Sequence, residues 1–142
     1  MAPHTDLGRW GEDFIANLLH QATGVRPTPG IRADLNFGGA EIEVKTAKPS
    51  DYNGNNKGYQ FCILRKGHTR LKAPILILIC VRLNDINNPD VFVIPARHIR
   101  PNRHKITLPL DTANYQGQWA RFRWALQLIA DYADQNRSGL RA

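Results

Sequence analysis

Hydrophobic and polar positions alternate strictly on both sides of Gly38-Gly39. Before the glycines runs Ala33-Asp34-Leu35-Asn36-Phe37, and after them Ala40-Glu41-Ile42-Glu43-Val44-Lys45. Period-two alternation is the pattern of a half-buried strand, and a Gly-Gly connection suits a type I′ turn, whose two central residues need φ > 0. The spacing predicts a hairpin in which Phe37 faces Ala40, Asn36 faces Glu41, Leu35 faces Ile42, Asp34 faces Glu43 and Ala33 faces Val44. One face then carries Ala33, Leu35, Phe37, Ala40, Ile42 and Val44; the other carries Asp34, Asn36, Glu41, Glu43 and Lys45. Directly opposed Cβ atoms lie roughly 5 Å apart, where like charges repel. Asp34 opposite Glu43 therefore costs stability unless a cation stands between them.

Upstream, the period becomes helical. Leu7, Trp10, Gly11, Phe14 and Leu18 recur as one stripe, from a cap at Thr5 or Asp6 to about Ala22, with Gly24 as the stop. Gly8, Glu12, Ile15 and Leu19 line one flank of that stripe, and Asp13 points away. Glu12 thus stands at the border of the core, one turn after a glycine that leaves room for an approach. It either pairs with a neighbouring arginine or joins the hairpin carboxylates. VRPTPGIR (25–32) breaks regular structure and leads into the hairpin.

Downstream, PSDYNGNNKG (49–58) reads as a polar loop beside the hairpin. Tyr59, Phe61 and Ile63 alternate as in a strand, although the same residues could open a helix running to Lys72. PILILICV (74–81) is a near-continuous apolar run and reads as a central strand buried on both faces. Val91 to Ile94 forms a further strand, and Ile106 to Leu108 a short edge strand. Trp119, Phe122, Leu126, Ile129 and Ala133 predict a last helix from about Gln118 to Asp134. Trp124, Ala125 and Leu128 widen its apolar face, which suggests subunit contact as well as core packing. Residues 135–142 read as a disordered tail. With no repeat visible, the 142 residues suit a single domain, and the order of elements predicts an α/β fold with a central mixed sheet and flanking helices.

Charge sharpens the picture. The chain carries a formal net charge of +7, which points to a polyanionic partner. Between Val44 and Asn84 stand eight Lys/Arg (Lys45, Lys48, Lys57, Arg65, Lys66, Arg70, Lys72, Arg82) against one acid, Asp51, so this segment holds the whole surplus. A second basic stretch runs from Ala96 to Lys105. Cys62 and Cys80 have neither the number nor the spacing of a disulfide framework or metal site, and both read as buried thiols. No signal peptide is evident, and the longest apolar run falls short of the ~20 residues of a membrane span. A soluble, cytoplasmic protein is expected.

Asp34, Glu43 and Lys45 on one polar face form a set with defined chemistry. Carboxylates suit Mg²⁺, a hard ion that takes oxygen ligands, and the Val44 carbonyl adds another oxygen. Lys45 can orient a metal-bound water or neutralise a phosphate. Phosphodiester hydrolysis needs such a metal to polarise the phosphoryl oxygen and such a cation for the developing charge. Glu12 would be a fourth acid for the same or a second ion. Glu41 could substitute as a ligand, though it reads better as an exposed strand carboxylate. His68 and His98 stand in basic runs and suit phosphate contact or exposure better than general-base work. Trp10, Trp119 and Trp124 fit core helices better than a base-stacking platform.

Gly8-Arg9-Trp10-Gly11-Glu12, then Ala33-Asp34, then Glu43-Val44-Lys45, followed by a basic segment and apolar strands, resembles the PD-(D/E)XK nuclease superfamily over Leu7 to Pro95. Within it, the pattern is most similar to the small archaeal-type Holliday junction resolvases, with Ala33 where the pattern has proline. The resemblance implies a restriction-endonuclease-like core. It makes Asp34 and Glu43 metal ligands, with Val44 through its carbonyl, Lys45 the catalytic lysine, and Glu12 an auxiliary acid. Gln60 falls where several branches place a functional Gln. The implied protein is a Mg²⁺-dependent endodeoxyribonuclease, in which Mn²⁺ can substitute, acting as a homodimer on branched or duplex DNA held by Lys48, Lys57, Arg65, Lys66, Arg70 and Lys72. A restriction, repair or mobile-element nuclease would use the same site. The competing readings are a catalytically silent nucleic-acid-binding domain and a protein-interaction subunit.

Overall fold

Gly38 and Gly39 adopt φ of 58° and 91°, the left-handed values a two-residue hairpin turn requires. The Asn36 side chain accepts from the Gly39 N–H at 3.0 Å and closes the turn. The computed structural model describes residues 3–54, 56–64 and 66–141, with the backbone alone for residues 3–5, 52, 53, 56 and 136–141. Among them the elements run α1 (Pro3–Thr23), β1 (Thr28–Pro29), β2 (Leu35–Phe37), β3 (Ala40–Ala47), β4 (Ser50–Asn53), β5 (Asn56–Cys62), β6 (Ile75–Cys80), β7 (Asp90–Pro95), β8 (Lys105–Pro109) and α2 (Gln127–Arg141).

Five strands form a mixed sheet in the order β1-β2-β3-β6-β7, parallel between β3 and β6 and antiparallel elsewhere. This is the expected α/β architecture with a central mixed sheet. Every residue of β6 is buried, because both faces of the sheet are covered. Ile75, Ile77 and Ile79 join Ile42 and Val44 under the helices, against Ile15 and Leu19 of α1 and Ile129 and Ala133 of α2. Leu76, Leu78 and Cys80 face the other way. There the cover is a second sheet, β4-β5-β8, which contributes Tyr59, Phe61, Ile106 and Leu108. The helices thus flank one face only. No described helix is long and apolar enough to cross a membrane.

Several local expectations are corrected. Helix α1 begins at Pro3, upstream of both expected caps, and proline suits a first turn because it has no N–H to satisfy. The stretch 49–58 is largely a hairpin, with Gly54 at φ 66° between β4 and β5. Tyr59 and Phe61 lie on a strand, so the helical alternative for that segment falls. Cys62 points outward and is exposed, whereas Cys80 is buried and its thiol pKa is pushed far up by burial.

The segment expected to open the last helix is irregular. Trp124 takes φ 55°, its N–H bonds to the Val91 carbonyl at 2.7 Å, and Arg123 bridges to Phe92. Arg123 Nε donates to both oxygens of Asp90, at 2.9 and 2.7 Å, and Asp90 is completely buried. An unpaired charge there would be costly, so this ion pair ties 120–124 to the edge of β7. Trp119 and Phe122 pack between the sheets, while Ile129 and Ala133 pack under the helices. The expected stripe is therefore divided between two cores, and Trp124 is left exposed. Helix α2 starts at Gln127 and takes in positions 135–141, where a tail was expected.

Candidate active site at the open end of the hairpin

The hairpin register holds for Phe37↔Ala40, Asn36↔Glu41 and Leu35↔Ile42 and then stops. Regular pairing would next set Asp34 opposite Glu43 and hydrogen-bond Ala33 to Val44, but the Asp34 N–H bonds to the Ile42 carbonyl at 3.0 Å and the chain slips by one residue. Asp34 Oδ2 accepts from the Val44 N–H at 2.8 Å in place of a strand partner. The Asp34–Glu43 ladder pair is thus replaced by a side-chain-to-backbone bond. The Val44 carbonyl projects to the same side as its N–H, beside Asp34, because a strand residue exchanges both bonds with one neighbour.

The slip is held by a tight turn. Gly30 N–H donates to the Asp34 carbonyl at 3.2 Å, and Ile31 N–H donates to Glu41 Oε1 at 3.2 Å. A Cβ at Gly30 would run into the Ala33 carbonyl and Glu41 Oε2, so only glycine fits. Glu41 is half-buried, and its Oε2 has no hydrogen-bond partner among the described residues. It clasps the turn that carries Asp34, a role the sequence pattern did not reveal.

Helix α1 is rotated from its expected setting. Gly11, Ile15, Ala16 and Leu19 are buried, while Trp10 and Phe14 stack at 5.5 Å in partly exposed positions. The buried face is centred nearer Glu12, which turns it inward. The helix can come this close because Gly11 lies against Thr46 of β3; a Cβ there would collide with Thr46 Oγ1. At Gly8 a Cβ would meet nothing within 4 Å, so open space does lie one turn before Glu12.

Glu12 joins the carboxylates electrostatically. Burial pushes its pKa up to about 7, helped by a side-chain hydrogen bond to Asp34 and by repulsion from Asp34, Asp13 and Glu43. Lys45 Nζ stands 3.7 Å from Glu43 Oε1. Among the described residues no three His, Cys, Asp or Glu side chains are arranged to hold a metal ion. Instead, Glu12 is engaged with Asp34, and Glu43 with Lys45.

Glu43 and Lys45 open into a cleft of about 520 Å³ whose other polar walls are Arg32, His68, Arg70 and Lys72. Five basic or imidazole side chains thus surround one carboxylate. Of the residues expected to hold DNA, Arg70 and Lys72 line this cleft. Lys48, Lys57 and Lys66 are exposed outside it, and Arg65 lies outside the described residues. Arg32 was missed, since its place in a proline-rich loop carried no signal. Gln60 is half-buried on the opposite side of β5 from Tyr59 and Phe61, and does not line the cleft.

This architecture, from α1 to α2, is shared with a solved structure. That structure is of a bacterial homing endonuclease, I-Ssp6803I; it aligns with a TM-score of 0.65 at 14% identity, over 98% of this chain and 99% of that one. No protein-family model matches the sequence, and no curated protein matches it.

Proposed function

We propose that this protein is a metal-dependent endodeoxyribonuclease with a PD-(D/E)XK-type site on a restriction-endonuclease-like core. One observation carries the reading. The Asp34 carboxylate takes the Val44 N–H at the point where the hairpin ladder breaks, next to Glu12, with Glu43 and Lys45 opening on a basic cleft. The fold shared with a homing endonuclease supports it.

The donor atoms are of the kind a hard cation takes, although Glu12 is engaged with Asp34 and Glu43 with Lys45 in this structure. Asp34, Glu43, Glu12 and the Val44 carbonyl offer oxygen only, and positive charge among them would offset the burial, and with it the repulsion from Asp34, Asp13 and Glu43, that raises the Glu12 pKa. Mg²⁺, or Mn²⁺ in its place, would be held by Asp34, Glu43 and the Val44 carbonyl, with Glu12 in support. When bound, it supplies a polarised phosphoryl oxygen and a water of lowered pKa. Asp34 is held in place by the Val44 amide and the turn clasped by Glu41. Lys45 places its ammonium beside the scissile phosphate, where it stabilises developing negative charge. Arg32, Arg70 and Lys72 hold flanking phosphates, with the salt dependence of such contacts.

We take a nuclease cutting duplex DNA, of restriction, repair or mobile-element type, before a junction resolvase, because the solved structure of the same fold is of a homing endonuclease. Cutting both strands with one site per chain calls for two copies, so a homodimer is the working assembly. The test is incubation with linear duplex, a four-way junction and single strands, in Mg²⁺ or in EDTA. Cleavage should need Mg²⁺ and should be lost in Asp34→Ala and Lys45→Ala. Undiminished cleavage by either variant, or none by the native chain, sinks the enzyme reading; junction preference would restore the resolvase.

A further inference from the structure

The second basic stretch, Ala96 to Lys105, takes no part in the site described so far. It folds as a 3₁₀ turn (Ala96–His98) and a second turn that returns the chain to β8. Backbone bonds bring it against the segment before β6: Ala96 N–H to the Pro74 carbonyl, and Asn102 N–H to the Thr69 carbonyl, both 2.7 Å. Between the two segments lies a pocket of about 170 Å³, with Arg70, Arg97, Arg100 and Arg103 in its walls and no acid among its lining residues.

None of these four arginines forms a salt bridge with a described acid. Like charges gathered without counter-charge repel, and such a cluster is stabilised by an anion from outside the chain. Arg103 is also fixed in place. Its guanidinium lies 5.3 Å over the ring of buried Trp119, and its Nε is buried with no hydrogen-bond partner among the described residues. A buried donor left unpaired beside a pocket calls for an oxygen acceptor. Planar arginine forks match phosphate oxygens in pairs.

We infer that the Arg70/Arg97/Arg100/Arg103 pocket is a second phosphate-binding site that takes a backbone phosphate of the nucleic acid, away from the bond being cut. Arg70 lines both this pocket and the cleft of Glu43 and Lys45, so one continuous basic path joins them. The inference rests on the DNA-acting reading for the polymeric nature of its ligand, and on the pocket alone for its chemistry. His98, next to Arg97, brings no negative counter-charge: desolvation, then Arg121 and Arg97, lower its pKa and favour the neutral ring, whose Nδ1 meets Arg121 at 3.0 Å.

The test measures binding of labelled duplex in EDTA by fluorescence anisotropy across a salt series. Arg97 and Arg100 are exposed, so Arg97→Gln and Arg100→Gln leave the cores untouched. Each should weaken binding roughly tenfold and flatten the slope of log K against log salt by about one for every phosphate no longer neutralised. Arg103→Lys keeps the charge but not the fork and should weaken binding without flattening the slope. Unchanged slopes in the glutamine variants, or no binding by the native chain, overturn the site. Calorimetry with inorganic phosphate separates the sources: saturable binding abolished in the variants while the DNA slope stays unchanged would make this a free-anion site and also overturn it. If the slopes flatten but Mg²⁺ cuts nothing, the nuclease reading fails and the pocket stands.

Discussion

Asp34 Oδ2 and the Val44 N–H are 2.8 Å apart, in a bond that replaces the next rung of the hairpin ladder. The same carboxylate is therefore both a structural acceptor and the first of the proposed ligands. Asp34→Asn keeps an acceptor for that amide and should hold stability within about 1 kcal/mol, while cleavage falls at least ~100-fold. Asp34→Ala should lose a further ~1–2 kcal/mol, because the Val44 amide is left without its partner. Chemical denaturation beside cleavage rates checks this, and equal destabilisation by both variants would deny Asp34 its structural role.

Glu12 gives a pH dependence with a defined sign. Its folded pKa of about 7 lies above its ordinary 4.5. Between these values the unfolded chain has released a proton that the folded chain retains, so this group's contribution falls as pH rises through the window and levels off above it. Measured in EDTA, Glu12→Gln should therefore gain stability over the native protein from pH 5 to 8. Adding Mg²⁺ at pH 8 should raise the native melting temperature more than that of the variant. A difference between the two proteins that does not change with pH would remove Glu12 from the cluster.

Gly11 and Thr46 set how closely α1 approaches β3. Gly11→Ala places a methyl on Thr46 Oγ1 and should cost about 1–3 kcal/mol, the range for overpacking a core. Thr46→Ala removes the obstructing hydroxyl, so the double variant should recover much of that loss. A double-mutant cycle on unfolding free energies reads the coupling, and strict additivity would mean that this approach does not set the helix position.

Asp90 and Arg123 hold the irregular segment before α2 against β7. Arg123→Ala strands a fully buried carboxylate, with Arg82 at 3.8 Å as its remaining cation, and should cost about 3 kcal/mol. DNA binding should hardly change below the melting temperature. Equal loss of both would place Arg123 in the DNA interface instead.

Features set by near neighbours in the chain were legible in the residues alone. The Gly38-Gly39 turn follows from two residues needing φ > 0, and the register of its first three pairs follows from that turn. Strand β6 follows from an unbroken apolar run, and the shared face of Glu41, Glu43 and Lys45 from alternation on β3. What the tertiary structure decided depends on partners distant in sequence. The ladder slips at Asp34 because Gly30, Ile31 and Glu41 close a turn that draws the chain away from Val44. Helix α1 turns Glu12 inward because Gly11 meets Thr46, more than thirty positions on. The helical period around Trp119 yields to a 3₁₀ turn because Asp90, buried in β7, demands Arg123. Periodicity records which side of an element is apolar; which neighbour it meets, and so how each site residue is aimed, is settled only when the layers pack.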